Sequence, residues 1–235
     1  MSSLLNLDWD SEFFQKKIGS LTYDLSFDRI ENDLEKAKAE GYNFLYVFCQ
    51  TAKPIEDIIL SNFNGEKVDT KVIFTKDIPA EKAFKINDNI SIAKGYSVSL
   101  ERLAILSGSH SRFLKDPFFS KEQFENLYKM WLVNSLNGKL ASQVLVYLKD
   151  SKEVGFVTVA IKGKVGSIGL IAVDKDFQGL GIGYELMIAA EQFLCAKNVL
   201  TMTVPTQIEN QQACAFYTKL NFEISKIQNI YHFTL

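Results

Sequence analysis

Apolar positions in the first hundred residues alternate between a strand period and a helix period. The two-residue period predicts strands at Lys17–Leu25, Phe44–Cys49 and Glu66–Phe74. Between them, a helix is expected after Asp28, because Asp28-x-x-Glu31 is typical of a capping box, and a second one begins near Pro54. Strands that alternate with helices favour a small α/β layer structure.

The pattern weakens between Thr75 and Leu100, where Ile90–Ile92 and Tyr96–Leu100 fit either a strand or a loop. The segment Leu106–Ser120 follows as a polar connection with several turn-forming residues. We therefore expect two domains, an N-terminal α/β domain over residues 1–105 and a second domain over residues 106–235.

The second half has a clearer order of elements. Ser120 and Gln123 form a capping box for a helix that Gly138 ends. Three successive strands are predicted next, then a glycine-rich turn, a helix, a strand, a helix and a closing strand. In chain order these segments are Val144–Leu148, Val154–Ile161, Val165–Val173, Gln178–Gly183, the helix that ends near Lys197, Leu200–Val204, Asn210–Leu220 and Phe222–Leu235.

The turn Gln178-Gly179-Leu180-Gly181-Ile182-Gly183 joins a buried strand to a helix. Glycines there let the backbone approach a ligand closely, and the first helical N–H groups suit a phosphate or diphosphate. A dinucleotide-binding fingerprint and a plain structural loop are the alternatives. A dinucleotide fingerprint normally follows the first strand of a parallel unit, whereas three hairpin-like strands precede this turn.

Composition narrows the class of partner. The net charge is −2, with 47% apolar and 23% charged residues, so neither nucleic acid nor an anionic membrane is an expected partner. The three cysteines lack metal-ligand spacing and are interpreted as reduced thiols, and no metal site is expected. With no apolar signal segment at Met1–Asp10 and no membrane-spanning stretch, we expect a cytoplasmic protein.

The order of motifs resembles the GNAT superfamily of acyl-CoA-dependent N-acyltransferases. Gln178–Gly183 corresponds to its diphosphate turn, Gln/Arg-x-x-Gly-x-Gly/Ala, and Asn210–Tyr217 followed by Asn221-Phe222 corresponds to its second hallmark. Asn221 stands where Gly is usual, and both residues tolerate the left-handed conformation at a helix end. The resemblance spans about residues 120–235 and implies a GNAT fold, a mixed and largely antiparallel sheet flanked by helices.

The resemblance also implies a site for acyl-CoA as co-substrate, with an acetyl or 3-hydroxybutyryl group. Tyr217 is the expected general acid for the leaving thiolate, although a core tyrosine is the alternative. A backbone N–H near Val173 is expected to hold the developing oxyanion, and no general base is nominated. The expected acyl-CoA-binding residues are Ile171, Ala172, Val173, Gln178, Gly179, Leu180, Gly181, Ile182, Gly183 and Asn210.

Outlying motifs look like TDP-fucosamine N-acetyltransferases and related sugar N-acyltransferases. They are Asp8–Phe14, Ser109–Phe113 with Asp116–Phe119, and the ending Tyr231–Leu235, in which Thr234 replaces the usual Trp. This resemblance implies a dTDP-linked amino-dideoxyhexose as acceptor, bound between the two domains, and a role in lipopolysaccharide biosynthesis. His110, Ser111 and Arg112 are its candidate contacts. Arg112 could instead form a surface ion pair with Asp116.

Three functions follow from the sequence. The first is transfer of an acyl group to the nucleotide-linked amino sugar, by direct attack in a ternary complex. The second is a GNAT acetyltransferase for another primary amine, in a protein, a polyamine or an aminoglycoside. The third is an acyl-CoA-binding module without catalysis. A homodimer is the default expectation for a soluble enzyme.

Overall fold

The computed structural model describes residues 4–23, 29–50, 54–79, 85 and 87–235. Its strands are β1 (Leu5–Asn6), β2 (Ile18–Tyr23), β3 (Phe44–Cys49), β4 (Gly65–Asp77), β5 (Ile90–Ile92), β6 (Gln143–Lys149), β7 (Lys152–Lys162), β8 (Val165–Val173), β9 (Thr201–Gln207) and β10 (Glu223–Thr234). Its helices are α1 (Asp8–Phe14), α2 (Ile30–Ala39), α3 (Asp57–Asn62), α4 (Val98–Ser107), α5 (Arg112–Lys115), α6 (Lys121–Leu136), α7 (Ile182–Ala196) and α8 (Gln211–Lys219), and a 3₁₀ turn spans Lys175–Phe177.

The chain divides into two compact units. The first comprises Met1–Val72, Gln207–Glu209 and Lys226–Leu235, and the second comprises Ile73–Thr206 and Asn210–Ser225. The C-terminal residues therefore belong to the same unit as the N-terminus. The division of the sequence into domains at residues 1–105 and 106–235 stays a prediction.

In the first unit, the strands lie in the order β1-β2-β3-β10-β4. Strands β2 and β3 are parallel, with Ile18 opposite Phe44, whereas β10 is antiparallel to β3. Helix α2 buries Ile30, Leu34 and Ala37, which pack in one core with residues of β2, β3 and β10. The alternation of strands and helices predicted for this part of the chain is confirmed.

Some boundaries in the first unit differ from the expected ones. The N-cap of α2 is Arg29, while Asp28 lies outside the described residues. Pro54 does not begin the second helix, because α3 starts at Asp57. Ile55 lies before that helix and is buried, with its N–H donating to the Tyr231 hydroxyl at 3.2 Å. The apolar residue that anchors this segment therefore precedes the helix, and Ile58 within it is exposed.

In the second unit, the strands lie in the order β4-β9-β8-β7-β6-β5. Strands β5 to β8 pair antiparallel in succession, and β8 pairs parallel with β9. Helix α4 contacts β7 and β8, and α7 contacts β6, β7 and β8. The expected GNAT fold class, a mixed and largely antiparallel sheet flanked by helices, is confirmed.

Helix α4 was not predicted, since Tyr96–Leu100 was interpreted as strand or loop. The Ser97 hydroxyl accepts the N–H of Leu100 at 3.1 Å and caps the helix, whose buried face is formed by Leu100, Leu103 and Ala104. The third helical position holds Leu100 instead of the Glu or Gln of a capping box, which hid the start of the helix. By contrast, the capping box of Ser120 and Gln123 is present in full at α6.

Candidate active site

The parallel strands β8 and β9 separate soon after they begin. Their paired residues run from Val165 with Thr201 to Ser167 with Thr203. Both strands continue beyond these pairs, but among the described residues no further pair joins them. The last residues of β8, Ile171, Ala172 and Val173, therefore have β7 on one side and an open edge on the other.

The backbone of this open edge has a defined direction. The N–H of Leu170 donates to Thr158 Oγ1 and the N–H of Asp174 donates to the Val154 carbonyl, each at 2.8 Å, and both acceptors lie in β7. Because successive N–H groups of a strand point to opposite sides, the N–H groups of Ile171 and Val173 point towards the opening. An extended ligand can therefore pair with β8 there.

The glycine turn follows this edge after the short 3₁₀ turn Lys175–Phe177. Gly179 and Gly181 have φ values of 78° and 80°, in the left-handed region that glycine adopts without strain. Gly181 is the N-cap of α7 and provides no side-chain cap, and no heavy atom lies within 4 Å of the Cβ position at either glycine. The first N–H groups of α7 are thus accessible to an anion, and the turn fits a diphosphate.

The neighbouring turn residues have different surroundings. Leu180 is exposed, whereas Ile182 is buried in the core of the unit. A Cβ at Gly183 would lie 3.3 Å from Phe216 Cζ and 3.9 Å from Val173 Cγ2. The absence of a side chain at Gly183 therefore lets α7, α8 and the end of β8 meet closely.

Tyr217 lies on α8 next to this meeting point and is 3% exposed. Its ring centroid is 5.5 Å from that of Phe74, 5.4 Å from that of Phe216 and 5.9 Å from that of Phe222. Burial, with a smaller contribution from Cys214, raises the pKa of the Tyr217 phenol well above its ordinary value. The phenol therefore keeps its proton throughout the neutral pH range.

Asn210 is the N-cap of α8. Its side-chain oxygen Oδ1 accepts the N–H of Ala213 at 3.1 Å. This cap fixes the amide plane, and the amide NH₂ group of the same side chain is a donor that the cap does not use. Contact between Asn210 and the pantetheine arm stays a prediction.

The three acceptor candidates lie at the start of α5. The Ser111 hydroxyl accepts the N–H of Phe113 at 3.2 Å and caps this short helix. The Arg112 guanidinium lies over the Phe113 ring, 4.4 Å from the ring centroid, and His110 is half-buried. Ser111 thus has a structural task of its own, and sugar-nucleotide contacts of all three residues stay predictions.

A cleft beside the glycine turn was missed by sequence reasoning. The cleft lies in the second unit, between α4 and the segment that joins β8 to α7. The lining residues are Arg102, Leu103, Leu106, Asp174, Lys175 and Asp176. Because α4 was not predicted, the placement of Arg102 near this turn had no signal in the sequence.

Two further features concern the described part of the chain as a whole. None of the helices resolved there is long and apolar enough to cross a membrane. In the same residues, no group of three or more His, Cys, Asp or Glu side chains is arranged to hold a metal ion.

Comparison with known proteins gives the family of this site. The model of the acetyltransferase (GNAT) family matches residues 107–222. The chain is 25% identical over 138 residues to the spore coat polysaccharide biosynthesis protein SpsD of Bacillus subtilis, which covers 59% of this chain and 47% of the relative. It is 29% identical over 121 residues to the dTDP-fucosamine acetyltransferase of Escherichia coli O6:H1, over 51% of each.

The chain thus spans about half the length of the curated relatives it matches. Among solved structures, a GCN5-related N-acetyltransferase from Sphaerobacter thermophilus aligns with a TM-score of 0.58 and 13% identity, covering 98% of this chain and 75% of that one. That likeness concerns the fold alone. The family match places residues 107–222, which contain the open edge of β8 and the glycine turn, in the acetyltransferase (GNAT) family.

Proposed function

We propose that the protein transfers an acyl group from acyl-CoA to the amine of a dTDP-linked amino-dideoxyhexose. The observation that carries the proposal is the open edge of β8 at Val173 together with the N-terminus of α7, which no side chain caps. An extended pantetheine arm needs the first feature, and a diphosphate needs the second. The 3-hydroxybutyryl and acetyl groups are both candidate acyl groups.

In this proposal, the diphosphate of the co-substrate binds the backbone N–H groups of the turn at residues 178–183. The pantetheine arm pairs with residues 171–173, and the Asn210 amide donates to it. This placement puts the thioester carbonyl at the Val173 N–H, which is directed towards the opening. A backbone donor held in that position stabilises the negative charge that develops on the carbonyl oxygen.

The chemical step is a direct attack. The lone pair of a neutral amine forms the new C–N bond, the C–S bond breaks, and the thiolate takes a proton from the Tyr217 phenol. The nitrogen releases its extra proton to water, and Tyr217 recovers its own proton from solvent. At neutral pH the phenol is protonated, as a general acid has to be before it donates.

The identity of the acceptor is the most specific part of the proposal. The names of two relatives support it, one concerned with a polysaccharide and one with dTDP-fucosamine. Arg112 is the proposed diphosphate contact because a guanidinium binds phosphate oxygens in pairs. A role in lipopolysaccharide biosynthesis, a cytoplasmic location and a homodimer belong to the same proposal.

The test is release of free thiol from acetyl-CoA and 3-hydroxybutyryl-CoA with a panel of amines. The panel contains dTDP-3-amino and dTDP-4-amino dideoxyhexoses, a polyamine, an aminoglycoside and a lysine peptide. We expect release with a dTDP sugar and competition by thymidine diphosphate. Release with only another amine would support a different acceptor, and acyl-CoA binding without release would support a non-catalytic module.

A further inference from the structure

Strand β8 contains one residue more than β7 just before the open edge. Val157 is opposite Ile171 and Val159 is opposite Ile168, so two steps along β7 match three steps along β8. This irregularity is a β-bulge, and it lies between the regular first half of β8 and its last three residues. The bulge determines which backbone groups of those residues face the opening.

The hydroxyl of Thr158 holds this bulge. Thr158 is 2% exposed, and its Oγ1 accepts the N–H of Leu170 at 2.8 Å. A side-chain oxygen of β7 thus takes the place of a backbone carbonyl at the point where the extra residue interrupts the ladder. Gly169 leaves room for this contact, because a Cβ there would lie 2.9 Å from Thr158 Oγ1.

We propose that Thr158 is a positioning residue for acyl transfer, which fixes the bulge through Leu170 and so directs the Val173 N–H at the thioester carbonyl. The inference rests on the proposed function and adds a residue to it. Since side chains and N–H groups alternate along a strand, a slip of one residue would turn the N–H of Ala172 towards the opening in place of that of Val173. Thr158 prevents that slip without touching substrate.

The test compares two substitutions at this position. Thr158→Val keeps the shape and loses the acceptor, whereas Thr158→Ser keeps the acceptor and loses a methyl group. We expect Thr158→Val to lower kcat by about a hundredfold, as small misplacements in active sites do, with little change in the KM for acyl-CoA. Thr158→Ser should restore kcat to within about threefold of wild type, as expected if the hydroxyl alone holds the bulge.

A spectroscopic measurement separates positioning from general damage. Infrared spectra of bound acyl-CoA with a ¹³C-labelled carbonyl report the hydrogen bond to the thioester oxygen and require binding only. The carbonyl band should move towards its solution position in Thr158→Val and stay in place in Thr158→Ser. Thr203→Val is the matched control, because Thr203 also bonds the β8 backbone through its hydroxyl, donating to the Gly166 carbonyl at 3.2 Å, before the bulge.

The outcomes distinguish the two proposals. Equal losses in Thr158→Val and Thr158→Ser, or an unchanged carbonyl band in Thr158→Val, would overturn the role of the hydroxyl. If Thr158→Val does not fold, Gly169→Ala disturbs the same contact from β8 and should shift the same band. A wild-type protein that binds acyl-CoA and releases no thiol with any amine would contradict the proposed function, while the infrared comparison still decides the role of Thr158.

Discussion

The side-chain amide of Gln178 donates a hydrogen bond to the carbonyl oxygen of Val173, with 3.0 Å between Nε2 and O. This bond ties the first residue of the glycine turn to the last residue of the open strand edge. The part of the site proposed to hold a diphosphate and the part proposed to hold a thioester are therefore fixed to each other.

Gln178→Glu tests this relationship. The variant cannot donate to Val173, and it adds a negative charge at the N-terminus of α7, where an anion is proposed to bind. We expect the Kd for acyl-CoA, measured by calorimetry, to rise about tenfold, equivalent to about 1.4 kcal/mol. Gln178→Ala separates the lost donor from the added charge and should have a smaller effect. Equal acyl-CoA affinity of Gln178→Glu and wild type would contradict a diphosphate site at this turn.

Gly181→Ala tests the bare backbone of the turn. The residue has a φ of 80°, and the space around its Cβ position is open. An alanine at this position therefore meets no steric clash, but it has to adopt a left-handed backbone conformation that is unfavourable for residues with a side chain. That cost lowers the free energy of unfolding by about 1–2 kcal/mol. Acyl-CoA affinity should fall as well, because the added methyl group stands where the diphosphate approaches.

Gly138→Ala is the matched control for this effect. Gly138 has a φ of 76° after α6, also with no heavy atom within 4 Å of its Cβ position. Chemical denaturation should give both variants a similar loss of stability. Only Gly181→Ala should bind acyl-CoA more weakly, and a parallel loss in Gly138→Ala would show that affinity merely follows stability.

Tyr217→Phe tests the proposed general acid. The substitution keeps the ring that packs against Phe74 and Phe222 and removes only the hydroxyl. We expect kcat to fall by about a hundredfold or more, the size typical of a lost proton donor. The Kd for acyl-CoA should stay close to that of wild type.

The control for that variant is Tyr128→Phe. Tyr128 is a buried tyrosine of α6 in the same unit, and its substitution should leave kcat near the wild-type value. Wild-type turnover in Tyr217→Phe would instead identify Tyr217 as a core tyrosine, the alternative that the sequence left open.

The pKa of Tyr217 gives a stability prediction with a definite sign. Its pKa is raised in the folded state above the ordinary value of 10.0, so the native state holds its proton more tightly than the unfolded chain does. The contribution of this group to stability is full below pH 10.0 and is lost as pH rises above it. The free energy of unfolding should therefore fall more steeply above that pH in wild type than in Tyr217→Phe, as measured by urea denaturation. Equal slopes would contradict the burial of the phenol.

Local features of the site were predictable from the sequence because short-range rules fix them. The capping box at Ser120 needs only neighbouring residues, and the left-handed residues at Gly179 and Gly181 follow from a tight turn between strand and helix. Asn221 also has the expected left-handed conformation, with a φ of 62°. These elements have strong local signals that their surroundings did not override.

The bulge at Gly169 had a weaker signal. A glycine inside a strand pattern indicates either a bulge or a close backbone approach, and in this structure it permits the contact with Thr158. Nothing near Gly169 in the sequence indicates Thr158, which lies on the preceding strand. The pair exists only once β7 and β8 have their register.

The sequence by itself determined the order of strands and helices in the second half, the glycine turn and the identity of the residues that line it. Tertiary structure decided where β8 and β9 separate, which N–H groups face the gap and how deeply Tyr217 is buried. It also placed the C-terminal residues of β10 in the unit formed by the N-terminus. The physical reason is the separation of the interacting residues along the sequence. Caps and turns depend on residues a few positions apart, whereas strand pairing and burial depend on contacts between segments far apart in the chain.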